Sequence, residues 1–400
     1  MKKDWEYKPF SDVIECLRTG LNPRVHFKLN TEDAQGYYIT VRELKGFTFE
    51  VDSKTDRINE TAIKRINERS NLKIGDVLFS GTGTIGRTAI VEEEPTWWNI
   101  KEGVYAITPR KDKLNSKYLI YLFKSNNILK SIYSKASGAT IRSIPMKELN
   151  KIIIPVPPLS EQKEIVEYLD SSFAKIDKLK ENAAKNLEEA KALFQSALKD
   201  ALEPKEGWEE KTLGEMVKDV KYGTSKPACA DGAYTYLRMN NITSDGHLDL
   251  NDTKTISLDD KELEKCIVRK GDILFNRTNS YEHVGKTCVF TEETPMVIAG
   301  YIIRIRLKEC LNPYYMNYFF NMKDTKAKLR KISVGAVHQS NINAKAVQTV
   351  VIPLPSLSEQ QSIVSYLDSL SEKLNTLQQN YSRICDECDA LKQAILRQVF

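Results

Sequence analysis

Leu159-Ser160-Glu161-Gln162 returns as Leu357-Ser358-Glu359-Gln360, and the reading of this doubled phrase decides the fold. Both copies follow a proline-rich strand end and open a helical pattern. After the first, Ile165, Leu169, Ile176, Leu179, Ala183, Ala190, Leu193 and Ala197 step in alternating fours and threes, with Ser172 and Asn186 interrupting the seam. After the second, Ile363, Leu367, Leu370, Leu374, Leu377, Tyr381, Ile384, Cys388, Leu391 and Ile395 hold the heptad to the end of the chain. Each lies 198 residues beyond its counterpart, so the chain is a duplication built around two equivalent coiled-coil helices.

Residues 160–202 as one helix make a rod of roughly 65 Å at about 1.5 Å per residue. Glu203-Pro204-Lys205-Glu206-Gly207 then breaks it and leads into a second globular stretch. Because the termini of a domain tend to lie close together, the second helix is expected to start where the first ended and to run back beside it. The expected architecture is an antiparallel coiled coil with a globular domain at each end and approximate twofold symmetry.

The globular parts repeat as well. Trp5-Glu6 is matched by Trp208-Glu209, Gly75-Asp76-Val77-Leu78-Phe79 by Gly271-Asp272-Ile273-Leu274-Phe275, and Leu114-Asn115 by Leu311-Asn312. Ser137-Gly138-Ala139 is answered by Val334-Gly335-Ala336, and Pro155-Val156-Pro157 by Pro353-Leu354-Pro355. Strands are predicted at 37–41, 76–79 and 152–154, with a helix over 117–130. The fold class is α+β: globular domains at 1–157 and 204–355, each followed by a long helix, at 158–203 and 356–400. Between the anchors the copies differ widely, which implies one fold carrying two different surfaces.

Composition narrows the function. Across 400 residues with 41% apolar content, the longest apolar runs, such as Ile152 to Leu159 with its prolines, are short, which excludes a membrane helix. The N-terminus lacks an apolar signal core, and the seven cysteines are scattered like reduced thiols, so a cytoplasmic protein is expected. The net charge is +5, yet residues 160–202 carry 7 Lys+Arg against 9 Asp+Glu and residues 358–400 carry 4 against 6. The positive excess therefore sits in the globular parts, which favours a polyanion such as DNA.

Several motifs dissolve on inspection. Gly81-Thr82-Gly83-Thr84-Ile85-Gly86 has dinucleotide-loop spacing, but the phosphate site needs a helix next and Ala89-Ile90-Val91 reads as a strand. Asn312-Pro313-Tyr314-Tyr315 resembles an adenine-methyltransferase signature, but its repeat partner Asn115 points to a helix cap with proline in the first turn. Cys385 and Cys388 have no second pair, and Cys388 falls in the seam, so core packing outweighs metal. The four histidines and the scattered carboxylates form no catalytic set.

Polar and basic loops at matching places remain. Thr82, Thr84, Arg87, Thr140 and Arg142 in the first copy, and Arg277, Thr278, Asn279, Ser280, Lys286, His338, Gln339 and Asn341 in the second, carry donors suited to base edges or phosphates. Beside the seam of the first helix, Val166, Phe173, Leu187 and Phe194 form a further apolar row. That row either widens the packed face, against the other helix or a globular domain, or is a docking strip for helices of another protein.

The order domain, helix, domain, helix, with Pro155-Val156-Pro157-Pro158-Leu159-Ser160-Glu161-Gln162 and Pro353-Leu354-Pro355-Ser356-Leu357-Ser358-Glu359-Gln360, resembles the specificity subunit of type I restriction-modification systems. The two Gly-Asp strand motifs resemble that family's recurring strand, and the likeness covers nearly the whole chain. It implies two target recognition domains reading an asymmetric, bipartite DNA site across a helical spacer. It also implies methyltransferase subunits docked on the helices, a restriction and translocase subunit, and S-adenosylmethionine, ATP and magnesium bound by those partners, leaving this chain without catalysis. The alternative is a coiled-coil scaffold whose globular ends bind proteins; sequence-selective DNA retention separates the two.

Overall fold

The computed structural model describes residues 5–336 and 339–400. It divides into two compact units, one taking in Met1–Ala183 and Ser382–Phe400, the other Ala184–Tyr381. Among the described residues no helix is long and apolar enough to cross a membrane.

In the first unit a four-stranded antiparallel sheet runs in the order Ile14–Thr19, Val104–Pro109, Val77–Ser80, Thr88–Ile90. In the second unit Val217–Tyr222, Ile302–Leu307, Ile273–Asn276 and Thr287–Val289 reproduce that order. Even the bulge in the first strand recurs, at Ile14/Cys16 and at Val217/Asp219. A smaller sheet lies beside each: Arg57–Ile58, Gly36–Ile39 and Trp98–Ile100 in one, Lys254–Ile256, Tyr234–Leu237, Met296–Ile298 and Ile267–Val268 in the other.

The Gly-Asp motif has a physical basis. Gly75 and Gly271 hold φ of 91° and 88°, where a side chain would be strained. The following aspartates close the turn by accepting from the Lys73 and Arg269 amides, and pair with Arg18 and Arg306 reaching in from the sheet. Each motif thus places a buried, neutralised carboxylate where a core strand begins.

Asn115 caps the helix Ser116–Lys124, and Asn312 caps Pro313–Asn321 with Pro313 in its first turn. The single helix expected over 117–130 is two helices, because Ser125 is extended and Asn126–Ser134 starts anew. The apolar spacing continues through that one-residue break, so periodicity alone conceals it. The strand predicted at 37–41 is Gly36–Ile39.

The long helices run Leu159–Leu202 and Leu357–Val399. Their opening phrase is a clamp onto the globular part. Gln162 is fully buried; its Oε1 accepts from the Asn115 amide (2.8 Å), and its Nε2 donates to the Lys113 and Pro157 carbonyls (both 2.8 Å). Gln360 does the same with Asn312, Cys310 and Pro355. Glu161 and Glu359 accept from the indoles of Trp5 and Trp208 at 3.0 and 3.1 Å. Within the first unit Lys180 pairs with Asp389 and Asp177 with Lys392, so three residues back along one helix is three residues forward along the other: the two segments are antiparallel. In the second unit Leu198 and Leu202 share a core with Ile363, Val364 and Leu367.

The seam departs from the expectation at four positions. Ile165, Leu169, Ile176, Ile363 and Leu367 are buried, and Leu370, Leu374, Ile384 and Ile395 half-buried, but Leu179 and Leu193 are 53% and 70% exposed and Leu377 and Leu391 are also exposed. The neighbouring row is packed as well. Val166, Phe173 and Leu187 are buried and Phe194 half-buried, so they are not an open docking strip. The reason is that each helix also lies on a globular domain: Phe173 packs edge-on against Tyr121 at 5.5 Å, and Phe194 approaches Tyr318 at 6.5 Å. Contact on two sides widens the buried stripe beyond a two-helix seam, as the first of the two readings of this row expects.

Candidate nucleic-acid interface

The two predicted loops of each globular domain meet. In the first unit the segments 81–87 and 137–143 are stitched by the Gly83 amide on the Arg142 carbonyl (2.8 Å), the Ile144 amide on the Gly81 carbonyl (2.9 Å) and a Thr82–Ser143 hydroxyl contact (2.9 Å). Thr84, Thr140 and Arg142 stand exposed on this patch, and Thr82 is half-buried. The Arg142 guanidinium lies 6.0 Å from the Tyr133 ring centroid. Arg87 is exposed at the far end of the same turn, its amide closing onto Ser80. The glycine-rich stretch is the tight turn between strands Val77–Ser80 and Thr88–Ile90, with no helix to hold a phosphate.

In the second unit the same meeting becomes a small sheet. Thr278–Asn279 pairs with Gln339–Asn341, which pairs with Val334–Ala336. The Ile342 amide donates to the Arg277 carbonyl at 2.8 Å, matching the Ile144–Gly81 bond of the first unit. Arg277, Asn279, Ser280 and Asn341 are half-buried, Gln339 is exposed, and Thr278 is buried with its hydroxyl accepting from Asn341 Nδ2 at 2.9 Å. His338 lies outside the described residues.

Lys286 departs from the loop surface. Its ammonium donates to the Ile242 carbonyl at 2.8 Å, and burial pulls its pKa down, so it fastens a neighbouring turn instead of facing outward. Two residues absent from the sequence-based set do face the patch. Tyr222 lies under the Arg277 guanidinium, 4.8 Å from centroid to Cζ, and the Tyr301 carbonyl accepts from the Arg277 amide at 2.9 Å; both rings are exposed. No repeat signal marks them, because the equivalent first-unit positions are Thr19 and Gly103.

A second surface lies on the helices. In the second unit Leu193, Tyr366 and Leu377 are exposed beside a groove of about 820 Å³ floored by Ala190, Ala197 and Leu370. In the first unit Leu391, Tyr168 and Leu179, the same positions in the repeat, are likewise exposed. Apolar side chains repeated at matching exposed sites have the character of a contact surface. Cys388 is buried in the helix pair, and among the described residues no group of three or more His, Cys, Asp or Glu is arranged to hold a metal.

Comparison with known proteins gives a consistent result. The family model of the type I restriction modification DNA specificity domain matches twice, over residues 2–189 and 205–384. The EcoKI specificity subunit of Escherichia coli K12 is 27% identical over 315 residues, covering 74% of this chain and 68% of that protein. A putative type I specificity subunit, MjaX, of Methanocaldococcus jannaschii is 26% identical and covers 92% of this chain and 87% of its own length. Among solved structures, a chain from a study of complex assembly and conformational transition in the type I R-M system superposes with a TM-score of 0.75 at 20% identity, covering 98% of this chain and 97% of that one. The HsdS subunit of Thermoanaerobacter tengcongensis superposes with a TM-score of 0.55 at 20% identity, covering 100% and 97%.

Proposed function

Since the chain belongs to the type I restriction-modification DNA specificity family, whose members recognise DNA and do not themselves catalyse, we propose that its two globular parts are target recognition domains that read the two blocks of an asymmetric, bipartite site. The observation that carries this reading is the pair of loop surfaces. Each domain joins the same two segments into one patch, and the two patches carry different side chains: threonines and Arg142 in one, Arg277, Asn279 and Gln339 in the other. One scaffold with unlike surfaces suits two unlike sequence blocks, since base contacts specify while the scaffold only positions.

The long helices hold the domains at a set separation, and the exposed rows Leu193, Tyr366, Leu377 and Leu391, Tyr168, Leu179 are the docking surfaces for methyltransferase subunits. A restriction and translocase subunit completes the assembly, and S-adenosylmethionine, ATP and magnesium belong to the partners. The test is to map methylated adenines in the source genome with and without this chain, and to measure DNA retention by the chain assembled with its methyltransferase. Two short blocks separated by a fixed gap are expected. Retention without sequence preference would instead favour a scaffold.

A further inference from the structure

We infer that Arg277 is the residue with which the second domain reads a guanine, an inference resting on the DNA-recognition role proposed above. Four contacts orient its side chain and backbone. The guanidinium lies on the Tyr222 ring at 4.8 Å, Nη2 donates to Asn341 Oδ1 at 3.2 Å and Nη1 to the Gly300 carbonyl at 3.3 Å, while the Arg277 amide is fixed by the Tyr301 carbonyl. Tyr222 is itself pinned, its hydroxyl accepting from the Ala344 amide at 3.0 Å. An arginine that serves a phosphate can use the same fork, but it meets equivalent oxygens in many orientations and gains little from being held in one. One held against an aromatic face and buttressed by a carboxamide has a fixed fork, and a fixed fork matches the O6 and N7 pair of guanine in the major groove.

The first domain supplies an internal control. Backbone bonds place Gly81 where the second domain has Arg277: the Gly81 amide donates to the Gly103 carbonyl as that of Arg277 does to Tyr301, and the Gly81 and Arg277 carbonyls receive Ile144 and Ile342. Strand register places Thr19 opposite Tyr105 and Tyr222 opposite Ile303. In the first domain the Tyr105 ring fills the space, coming within 2.2 Å of where a Gly81 Cβ would stand. In the second the smaller Ile303 leaves that place to the arginine and its tyrosine. The exchange of Gly81, Thr19 and Tyr105 for Arg277, Tyr222 and Ile303 is a coordinated one: it installs a braced arginine in one head and removes the room for it in the other.

The experiment uses the chain assembled with its methyltransferase, first to define the methylated motif and then to bind duplexes in which each guanine of that motif is replaced singly by 7-deazaguanine, which lacks N7. One position in one block is expected to lose about tenfold or more in affinity. Arg277→Lys, which keeps the charge but not the fork, is expected to lose a similar factor and to become indifferent to 7-deazaguanine at that position, with the other block unchanged. Asn341→Ala, which frees the guanidinium without removing it, is expected to relax the same position, and thermal unfolding of both variants separates this from loss of folding. Wild-type affinity and motif in Arg277→Lys, or a uniform loss across all sequences, would overturn the inference while leaving DNA recognition standing. Absence of sequence-selective binding by the unaltered assembly would overturn both.

Discussion

Gln162 and Gln360 each satisfy three backbone groups at the junction between a globular domain and its helix. Replacing Gln162 with leucine keeps the volume but leaves an amide and two carbonyls buried without this partner. A loss of about 3 kcal/mol or more in unfolding free energy is expected, measured by urea denaturation. The repeated phrase is plain in the sequence; that its glutamine is a buried clamp is not, because two of its partners, Lys113 and Asn115, lie in a loop far back along the chain. A second residue-scale prediction concerns Lys326. Burial, with Arg330 and Lys286 nearby and Asp245 opposing them, pushes its pKa down to about 8, while its ammonium donates to the Ser244 carbonyl. An unfolded lysine titrates near about 10.4, so between these values the unfolded chain holds a proton that the folded chain has released. Raising the pH through that window therefore stabilises the fold. Comparing urea midpoints at pH 7.5 and 9 should show Lys326→Met gaining less on the alkaline side than the unaltered chain.

For the helices, the physics lies in the difference between two adjacent apolar rows. Ile165, Leu179 and Leu193 lie on one, Val166, Phe173, Leu187 and Phe194 on the next, and both satisfy a heptad. The sequence shows two rows but not which neighbour each meets, and the globular domains claim the second through Tyr121 and Tyr318. Leu179, Leu193, Leu377 and Leu391 lie outside the packed face. Charging this strip should cost the fold little and the docking much. Leu193→Asp with Leu391→Asp is expected to leave the melting temperature within a few degrees of the unaltered chain and to abolish co-purification with the methyltransferase. Phe173→Ala should do the reverse, destabilising by about 3 kcal/mol or more through the cavity it leaves.

At the scale of the whole molecule, the proposed function makes the helix pair a spacer, and a spacer has a testable length. Deleting one heptad from each helix, at positions paired by the register of Lys180 with Asp389, removes about 10 Å while turning the helix by only about 20°. The gap between the two blocks is expected to shorten by about three base pairs, with both blocks retained, as read from the methylated motif of the altered assembly. An unchanged gap would mean that something other than the helices sets the spacing. The proposed division of labour fits the charge distribution, with the acidic excess on the helices and the basic excess on the domains proposed to read DNA.

The duplication, the two long helices, the helix caps at Asn115 and Asn312 and the family itself were determined by the sequence alone, because each is a local pattern or a repeat and needs no knowledge of what lies across space. Pairing of the loops at 81–87 and 137–143, the diversion of Lys286 into a turn, the brace around Arg277 and the width of the packed helix face were decided only by tertiary structure. Each depends on which distant segment arrives to supply a hydrogen bond or an apolar face. A single chain read in order records the donors and the apolar rows, but not their neighbours.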